Sequence, residues 1–258
     1  MRTPGSEFLQ RRDLLLNLVC AELTARYKTA TLGVLWSILN PLLLMLILVV
    51  VFGNFVRLGI ENYPIFVLSA LLPWSFFQTS VVNAAGSLPR ASGLVKRVRI
   101  PRAFIPLSAI LASLVHFLIS LGLLFMLMLA LGVPLTATVL LIPPVIVLQA
   151  VLLVGVSLLV SSLNVFYRDI EYILAPALSG LFYLTPIFYP LSYVPPAWRG
   201  WYALNPMVGI IEAYRRMLID GSFPAPRLLA TSAMTSLAIL VVGTAVFHWA
   251  EPYFDDYV

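Results

Sequence analysis

The sequence predicts an all-α membrane protein with about six transmembrane helices, an N-terminal amphipathic interface helix and re-entrant helices between spans 5 and 6. Hydrophobic residues make up 61% of the chain, charged residues only 10%, and the mean hydropathy is +0.98. A soluble domain typically carries about 25% charged residues, because its surface faces water. Long charge-free stretches recur along this chain without the period-2 alternation of a β-barrel. Most of the protein surface is therefore expected to face lipid.

The expected spans are the stretches without Asp, Glu, Lys or Arg, since a charge at the bilayer centre costs at least about 2.5 kcal/mol. The longest stretch runs from Arg102 to Arg168 and contains the breaker Gly132-Val133-Pro134, which indicates a hairpin of two helices. Backbone groups in hydrocarbon must bond within their own segment, so each span is expected to be helical. The expected spans are residues 34–56, 64–86, 104–131, 137–163, 172–189 and 228–249.

Residues 9–31 precede the first span and are expected to form a helix at the cytoplasmic interface. Apolar side chains from Leu16 to Tyr27 recur near one helical face, although basic residues such as Arg26 intrude on it. The alternative is an extension of the first span. Residues 1–8 resemble a cloning-linker remnant as much as native sequence, and we assign them no function.

The region 190–216 cannot form one continuous helix, because four prolines interrupt it: Pro190, Pro195, Pro196 and Pro206. Its apolar piece from Trp201 to Ile211 is too short to span a bilayer. We therefore expect a pair of short re-entrant helices in the outer leaflet. Irregular backbone at membrane depth needs cover from protein or a water-filled cavity, which points to a translocation path nearby.

The distribution of basic residues predicts the orientation. Eleven of the 16 Lys and Arg residues lie before the first span, after the second or after the fourth. Cytoplasmic loops carry this excess, so both termini are expected in the cytoplasm, as an even number of spans requires. The other five, assigned to the opposite side, are Arg57, Arg199, Arg215, Arg216 and Arg227.

The sequence lacks the motifs of most catalytic sites. It contains no G-x-x-x-x-G-K-[ST] nucleotide loop, and its single cysteine, Cys20, and its two distant histidines make no metal cluster. We therefore expect a chain without enzymatic activity, catalytic residues or bound cofactor, driven by energy from another subunit. His116 lies in the middle of a span, where it serves either function or, as we favour, interhelical hydrogen bonding.

The loop of residues 87–102 carries five basic residues and no acidic one. One interpretation is attraction to anionic lipid, worth about 1 kcal/mol per basic residue. The other is a short helix that docks into a cytoplasmic partner through interleaved apolar anchors. Both interpretations fit the residues. The expected partner-interface residues are Leu94, Lys96, Arg97, Val98, Arg99 and Ile100.

Aromatic residues concentrate in two of the expected spans. They belong either to packing and the lipid interface or to a channel lined with rings. Aromatic faces stack on the C–H faces of sugars, and many weak contacts suit sliding better than tight capture. The candidate substrate-path residues are Trp74, Phe76 and Phe77 on span 2 and Phe182, Tyr183, Phe188 and Tyr189 on span 5.

Three sequence blocks, taken in order, resemble the polysaccharide-export permeases of the ABC-2 type. Arg26–Trp36 with Asn40-Pro41-Leu42 resembles their junction of interface helix and first span. Asn164–Ile170 is similar to their cytoplasmic motif after span 4. Thr185–Pro190, with Asn205-Pro206, is similar to their re-entrant region. The resemblance covers nearly the whole chain.

This resemblance implies a homodimeric permease in the bacterial cytoplasmic membrane, bound to two ATPase subunits that hold ATP and Mg²⁺. The cargo would be an O-antigen, capsule, teichoic acid or related glycan on a lipid carrier, and the loop 87–102 would couple to the ATPase. The alternatives are an ABC-2 exporter of drugs or small lipids and a scramblase or scaffold without an ATPase.

Overall fold

The computed structural model describes residues 4–27, 35–56, 58–93 and 100–257, which form helices joined by turns and short loops, with no strand in those ranges. A one-turn helix, Ser87–Arg90, follows the third long helix, and another, Phe254–Tyr257, follows the last. The long helices are α1 Pro4–Tyr27, α2 Leu35–Leu48, α3 Tyr63–Ala85, α4 Phe104–Ala130, α5 Ile142–Phe166, α6 Ile170–Tyr183, α7 Pro196–Leu204, α8 Pro206–Leu218 and α9 Pro226–Ala250.

Four helical segments of the described residues are long and apolar enough to cross a membrane: Tyr63–Ala85, Phe104–Ala130, Ala137–Phe166 and Pro226–Tyr253. Two shorter apolar segments, Leu39–Phe55 and Ile170–Tyr183, correspond to the expected spans 1 and 5. The first of them is α2 with its continuation, a π-helix over Val49–Phe55. The multi-pass helical architecture predicted from the charge-free stretches is thereby confirmed, although only four segments reach full spanning length.

Helix α6 ends at Tyr183, earlier than the boundary at residue 189 expected for span 5. Pro186 explains the difference, because proline lacks the N–H needed to continue the helix and disfavours helical geometry in the residue before it. The backbone of residues 184–190 instead forms turns, with the Ile187 amide donating to the Thr185 carbonyl at 2.7 Å.

Loops from different parts of the chain gather at two opposite ends of the bundle. At one, here the Tyr63 end, the Tyr63 hydroxyl donates to the Phe188 carbonyl at 2.8 Å and the Tyr193 hydroxyl to the Leu58 carbonyl at 3.2 Å. At the other, the Asn164 end, the Asn164 side-chain amide donates to the Ala85 carbonyl at 3.0 Å. Helices α3, α4, α5, α6 and α9 each run from one end to the other.

Helix α3 is the centre of the bundle and packs against α4, α5 and α8. Helix α9 packs closely on α5 at a pair of glycines. A Cβ on Gly155 would lie 2.6 Å from the Leu240 Cα atom, and a Cβ on Gly243 would overlap the Gly155 carbonyl oxygen. Small residues at such a crossing let two membrane helices approach until their backbones touch.

Helix α1 begins at Pro4, inside the stretch that resembles a linker remnant, and packs along α4. Val19 is buried in that contact, whereas Leu16 is exposed. The expected break between interface helix and first span falls at residues 28–34, outside the described residues. Arg26 and Tyr27 belong to α1, but their side chains are also outside the described part of the structure.

Candidate functional site

Six of the seven predicted substrate-path rings form one connected cluster. The Trp74 ring lies 5.7 Å from that of Phe182, which contacts Phe188 at 6.1 Å between ring centroids. Phe188 also stacks on Phe52 of the π-helix, at 4.8 Å. Phe77, Tyr183 and Tyr189 complete the cluster through neighbouring rings. Spans that are far apart in sequence are thus brought together by their aromatic residues.

Phe76 faces away from this cluster. Its ring stacks on Phe117 of α4 at 5.1 Å, and Phe117 contacts Tyr214 of α8 at 6.0 Å. Consecutive helical residues point about 100° apart, so Phe76 and its neighbour Phe77 serve different contacts. Phe76 is part of the packing between α3, α4 and α8, on a different side of α3 from Phe77.

The six clustered rings differ widely in exposure, and Tyr183 is the exposed one. Trp74 is only 1% exposed within the single chain, whereas Tyr183 is 65% exposed. The Tyr189 hydroxyl lies 3.2 Å from that of Tyr202 on α7 and 3.1 Å from the Tyr183 carbonyl. The phenol hydroxyls of Tyr189 and Tyr202 therefore meet next to the backbone of Tyr183. Phenol groups offer both an apolar face and a hydrogen-bonding tip.

Arg215 of α8 holds the irregular segment after α6 from the inside. It is 4% exposed, and its guanidinium donates to the carbonyls of Pro186 at 2.6 Å, Ile187 at 2.5 Å and Tyr189 at 3.3 Å. It also lies 3.7 Å from the ring centroid of Phe66, a cation–π contact. Arg215, which the orientation count treated as a loop charge, is therefore an internal clamp on the turn that carries Phe188 and Tyr189.

The Asn205-Pro206 pair fixes the start of α8 against the same segment. The Asn205 side chain accepts from the Met207 amide at 3.0 Å, an N-cap, and Pro206 takes the first helical position, where its missing N–H costs nothing. The Asn205 amide also donates to the Thr185 hydroxyl at 3.0 Å. Both parts of the third sequence block that carries the resemblance thus meet in space.

A buried amide links three helices close to the ring cluster. Gln149 of α5 is fully buried and donates to the Pro73 carbonyl of α3 at 2.7 Å. Its side-chain oxygen accepts from the Tyr214 hydroxyl of α8 at 3.2 Å. Interhelical hydrogen bonds of this kind hold membrane helices together, at about 0.6 kcal/mol each on average.

At the Asn164 end, the structure describes both sides of the predicted coupling loop. We call them its two arms: residues 87–93, and residues 100–105, which lead into α4. Asn164, the first residue of the motif after α5, bonds to the last carbonyl of α3, next to the first arm. The Arg90 guanidinium reaches back to the Asn83 carbonyl at 2.6 Å. Of the six predicted partner-interface residues only Ile100 is described, and it is half-buried; Leu94, Lys96, Arg97, Val98 and Arg99 are outside the described residues.

The described side chains contain no group of three or more His, Cys, Asp or Glu residues that could hold a metal ion. His116 is buried within α4, and His248 is exposed near the end of α9, 3.6 Å from Glu251. The groups that the ring cluster presents are aromatic faces, hydroxyls and backbone carbonyls.

The sequence did not predict that two residues, Arg215 and Gln149, organise this site. A signal for Arg215 was present: it shares one face of α8 with Ile211 and Leu218, both buried, whereas Arg216 shares its face with Glu212, to which it bonds at 3.2 Å. Helical spacing therefore separates the two adjacent arginines. Gln149 had only the weaker signal of an amide within an apolar span.

Comparison with known proteins agrees with this architecture. The ABC-2 type transporter family matches residues 13–219. The O-antigen export system permease protein RfbA of Myxococcus xanthus is 35% identical over 252 residues, 97% of each chain. A protein of the same name from Klebsiella pneumoniae is 31% identical over 237 residues, 92% of this chain and 91% of its own.

A more distant relative is the polysialic acid transport protein KpsM of Escherichia coli, 25% identical over 246 residues, 91% of this chain and 92% of its own. These similarities extend along almost the entire chain, so they include the ring cluster, the Asn164 motif and the loop arms. This chain is therefore a member of the ABC-2 type transporter family.

Proposed function

We propose that this chain is the membrane-spanning permease subunit of an ATP-driven exporter that threads a lipid-linked polysaccharide across the bacterial cytoplasmic membrane. The observation that carries the proposal is similarity over 97% of the chain to a permease named for O-antigen export. The more distant relative is named for polysialic acid transport, a different glycan. A cargo class shared by both names, long polysaccharide, is the simplest common substrate.

The partners follow from the family and from what this chain lacks. The sequence has no nucleotide-binding loop, so ATP and Mg²⁺ would be held by a separate ATPase, in two copies on a homodimer of this chain. The loop 87–102 would dock into that ATPase. Its first arm follows the end of α3 and its second arm leads into the start of α4. This position supports a role in transmitting movements of the ATPase to both helices.

The proposed topology has six crossings, with both termini in the cytoplasm. Helix α2 with its π-helical continuation and helix α6 would be the two shorter crossings, beside the four of full length. Helices α7 and α8 would form the re-entrant pair. Support for that comes from Gly209 of α8, which packs on Ser232 and the Leu228 carbonyl, one to two turns inside α9.

The passage for the glycan would run along three tyrosines beside the ring cluster, the exposed Tyr183 and the half-buried Tyr189 and Tyr202. A polymer of indefinite length cannot be enclosed in a closed cavity, so it must be threaded through many weak contacts of similar strength. Phenol rings supply such contacts without a fixed charge that would trap the chain. Trp74, Phe77, Phe182 and Phe188 would support these tyrosines from behind.

Removal of the gene from its bacterium tests the proposed function. We expect surface polysaccharide to disappear and lipid-linked glycan to accumulate inside the cell. Export should return with the wild-type chain, and only when its ATPase is active. Unchanged surface glycan, with increased sensitivity to drugs or an altered lipid distribution, would instead identify a drug or small-lipid exporter. Glycan export independent of ATP hydrolysis would indicate a scramblase.

Alanine variants test the passage within that assay. The triple variant of Phe182, Tyr183 and Tyr189 should slow polymer export by more than it lowers basal ATP hydrolysis of the assembled complex. Phe223→Ala, an exposed ring outside the cluster, is the matched control and should export normally. Wild-type export by the triple variant would place the passage elsewhere.

A further inference from the structure

The segment after α9 folds back onto the bundle. Glu251–Tyr253 forms a 3-10 turn, and Phe254–Tyr257 forms a one-turn helix. Phe254 is 1% exposed, and its ring centroid lies 5.4 Å from Phe247 and 6.2 Å from Phe166. The Tyr257 ring lies 5.0 Å from Phe166 as well. The segment 251–257 is therefore seated in the Asn164 end through two aromatic residues.

Phe254 belongs to a second apolar cluster, separate from the main core, which contains parts of both loop arms. Leu88 and Ala91 represent the first arm in this cluster, and Ala103 and Ile105 represent the second. One buried ring is therefore packed in the same cluster as both sides of the loop 87–102. The same apolar cluster therefore joins both arms to the end of α9 and to the segment after it.

A polar contact ties the second arm to the same segment. The Arg102 guanidinium donates to the Glu251 carbonyl oxygen and lies 6.0 Å from the ring centroid of Phe254. The charges of the two segments are also complementary in sequence. The loop has five basic residues and no acidic one, whereas residues 251–257 include Glu251, Asp255 and Asp256 and no basic residue.

We infer that the segment 251–257 is a brace that positions the coupling loop. Phe254 and Arg102 act as positioning residues, and the inference rests on the proposed function for the role of the loop. An ATPase that pushes on the loop can move α3 and α4 only if the loop arms are stiff. If the arms swing freely, ATP is hydrolysed without moving the helices. The brace supplies that stiffness from outside both arms.

The first test uses the permease alone in lipid nanodiscs, so it does not depend on the cargo. A spin label is placed on Ser92→Cys, at the end of the first arm, with Cys20 replaced by serine. Phe254→Ala should increase the mobility of the label. Tyr253→Ala, a neighbouring ring that is 49% exposed, is the matched control and should leave the mobility unchanged.

The second test uses the complete complex with its ATPase. In Phe254→Ala and Arg102→Met, we expect glycan exported per ATP hydrolysed to fall by roughly 5- to 150-fold, the range typical of coupling between two sites. In Phe254→Ala, which lies outside the docking loop, basal ATP hydrolysis and retention of the ATPase should stay near wild-type values. Arg102→Lys keeps the charge but lacks the planar guanidinium with its several N–H donors. Its coupling should therefore lie between that of Arg102→Met and that of wild type. Arg102→Met leaves the buried ring in place, which keeps the test informative if Phe254→Ala does not fold.

The outcomes separate this inference from the proposed function. If the wild-type complex exports no glycan, the proposed function fails, while the spin-label experiment still tests the brace. Unchanged label mobility in Phe254→Ala would overturn the brace. Increased mobility with normal coupling in both variants would overturn it too, because the segment would then contribute packing alone.

Discussion

Replacing Arg215 by methionine should release the turn that carries Phe188 and Tyr189. Methionine fills a similar volume without a charge or a donor. The variant would leave the carbonyls of Pro186, Ile187 and Tyr189 without the guanidinium that now binds all three. It would also remove the cation–π contact with Phe66.

The magnitude is set by opposing contributions. A buried carbonyl without a donor costs about 1–3 kcal/mol, so three of them cost roughly 3–9 kcal/mol. The lost cation–π contact adds about 1–2 kcal/mol. Removing the buried charge returns several kcal/mol of desolvation. The difference is a net destabilisation of about 2–4 kcal/mol, which corresponds to a decrease in melting temperature of roughly 4–16 °C for a chain of this size.

The assay is thermal denaturation in detergent, combined with thiol labelling of Ile187→Cys, a position that is 0% exposed, in a background without Cys20. Arg215→Met should lower the melting temperature and speed the labelling. The matched control is Arg216→Met on the same helix, which breaks a partly exposed ion pair with Glu212 and should cost at most about 1 kcal/mol. If Arg215→Met has the same melting temperature as this control, or a higher one than wild type, the desolvation cost of the buried charge is at least as large as the stabilisation from the Arg215 contacts.

Two further predictions concern packing and topology. Gly243→Ala places a methyl group into the α5 backbone and should destabilise the protein by about 1–3 kcal/mol, whereas Gly122→Ala, with open space around it, should stabilise it by roughly 0.5–1 kcal/mol, as measured by thermal melting. Cysteine at Glu61 should react with an impermeant thiol reagent outside intact cells and cysteine at Ser92 should not; the reverse pattern would invert the proposed orientation.

Much of the fold was predictable because the bilayer restricts the choices. A charge-free stretch of sufficient length must be a helix, so the four long spanning segments agree with the predicted ones to within a few residues. The end of α6 was harder to predict from the sequence, because the apolar run continues past Tyr183 to Phe188. There, proline geometry and the carbonyl contacts of Arg215 determine the backbone, and hydropathy does not record them.

The candidate site was predictable as a set of residues but not as an arrangement. The clustering of rings on α3 and α6 in sequence anticipated their contact, yet Phe76 and Phe77 look equivalent in sequence and point to different neighbours. The brace on the loop arms had no local signal at all. Its contacts join Arg102 to residues about 150 positions later, and only tertiary packing brings such segments together.

The π-helical end of α2 makes its register sensitive to chain length. In residues 49–55 the hydrogen bonds skip one residue more than in an α-helix, as in the bond from the Val56 amide to the Val51 carbonyl at 2.9 Å. A π-turn holds one more residue than an α-turn, so deletion of one residue there would let the segment relax to an α-helix while the residues on either side keep their directions. Loss of a second residue would have no wide turn to absorb it and would turn the residues beyond it by about 100°. Among chains of different length at this position, a one-residue deletion would therefore leave the neighbouring contacts in place, whereas a two-residue deletion would displace them.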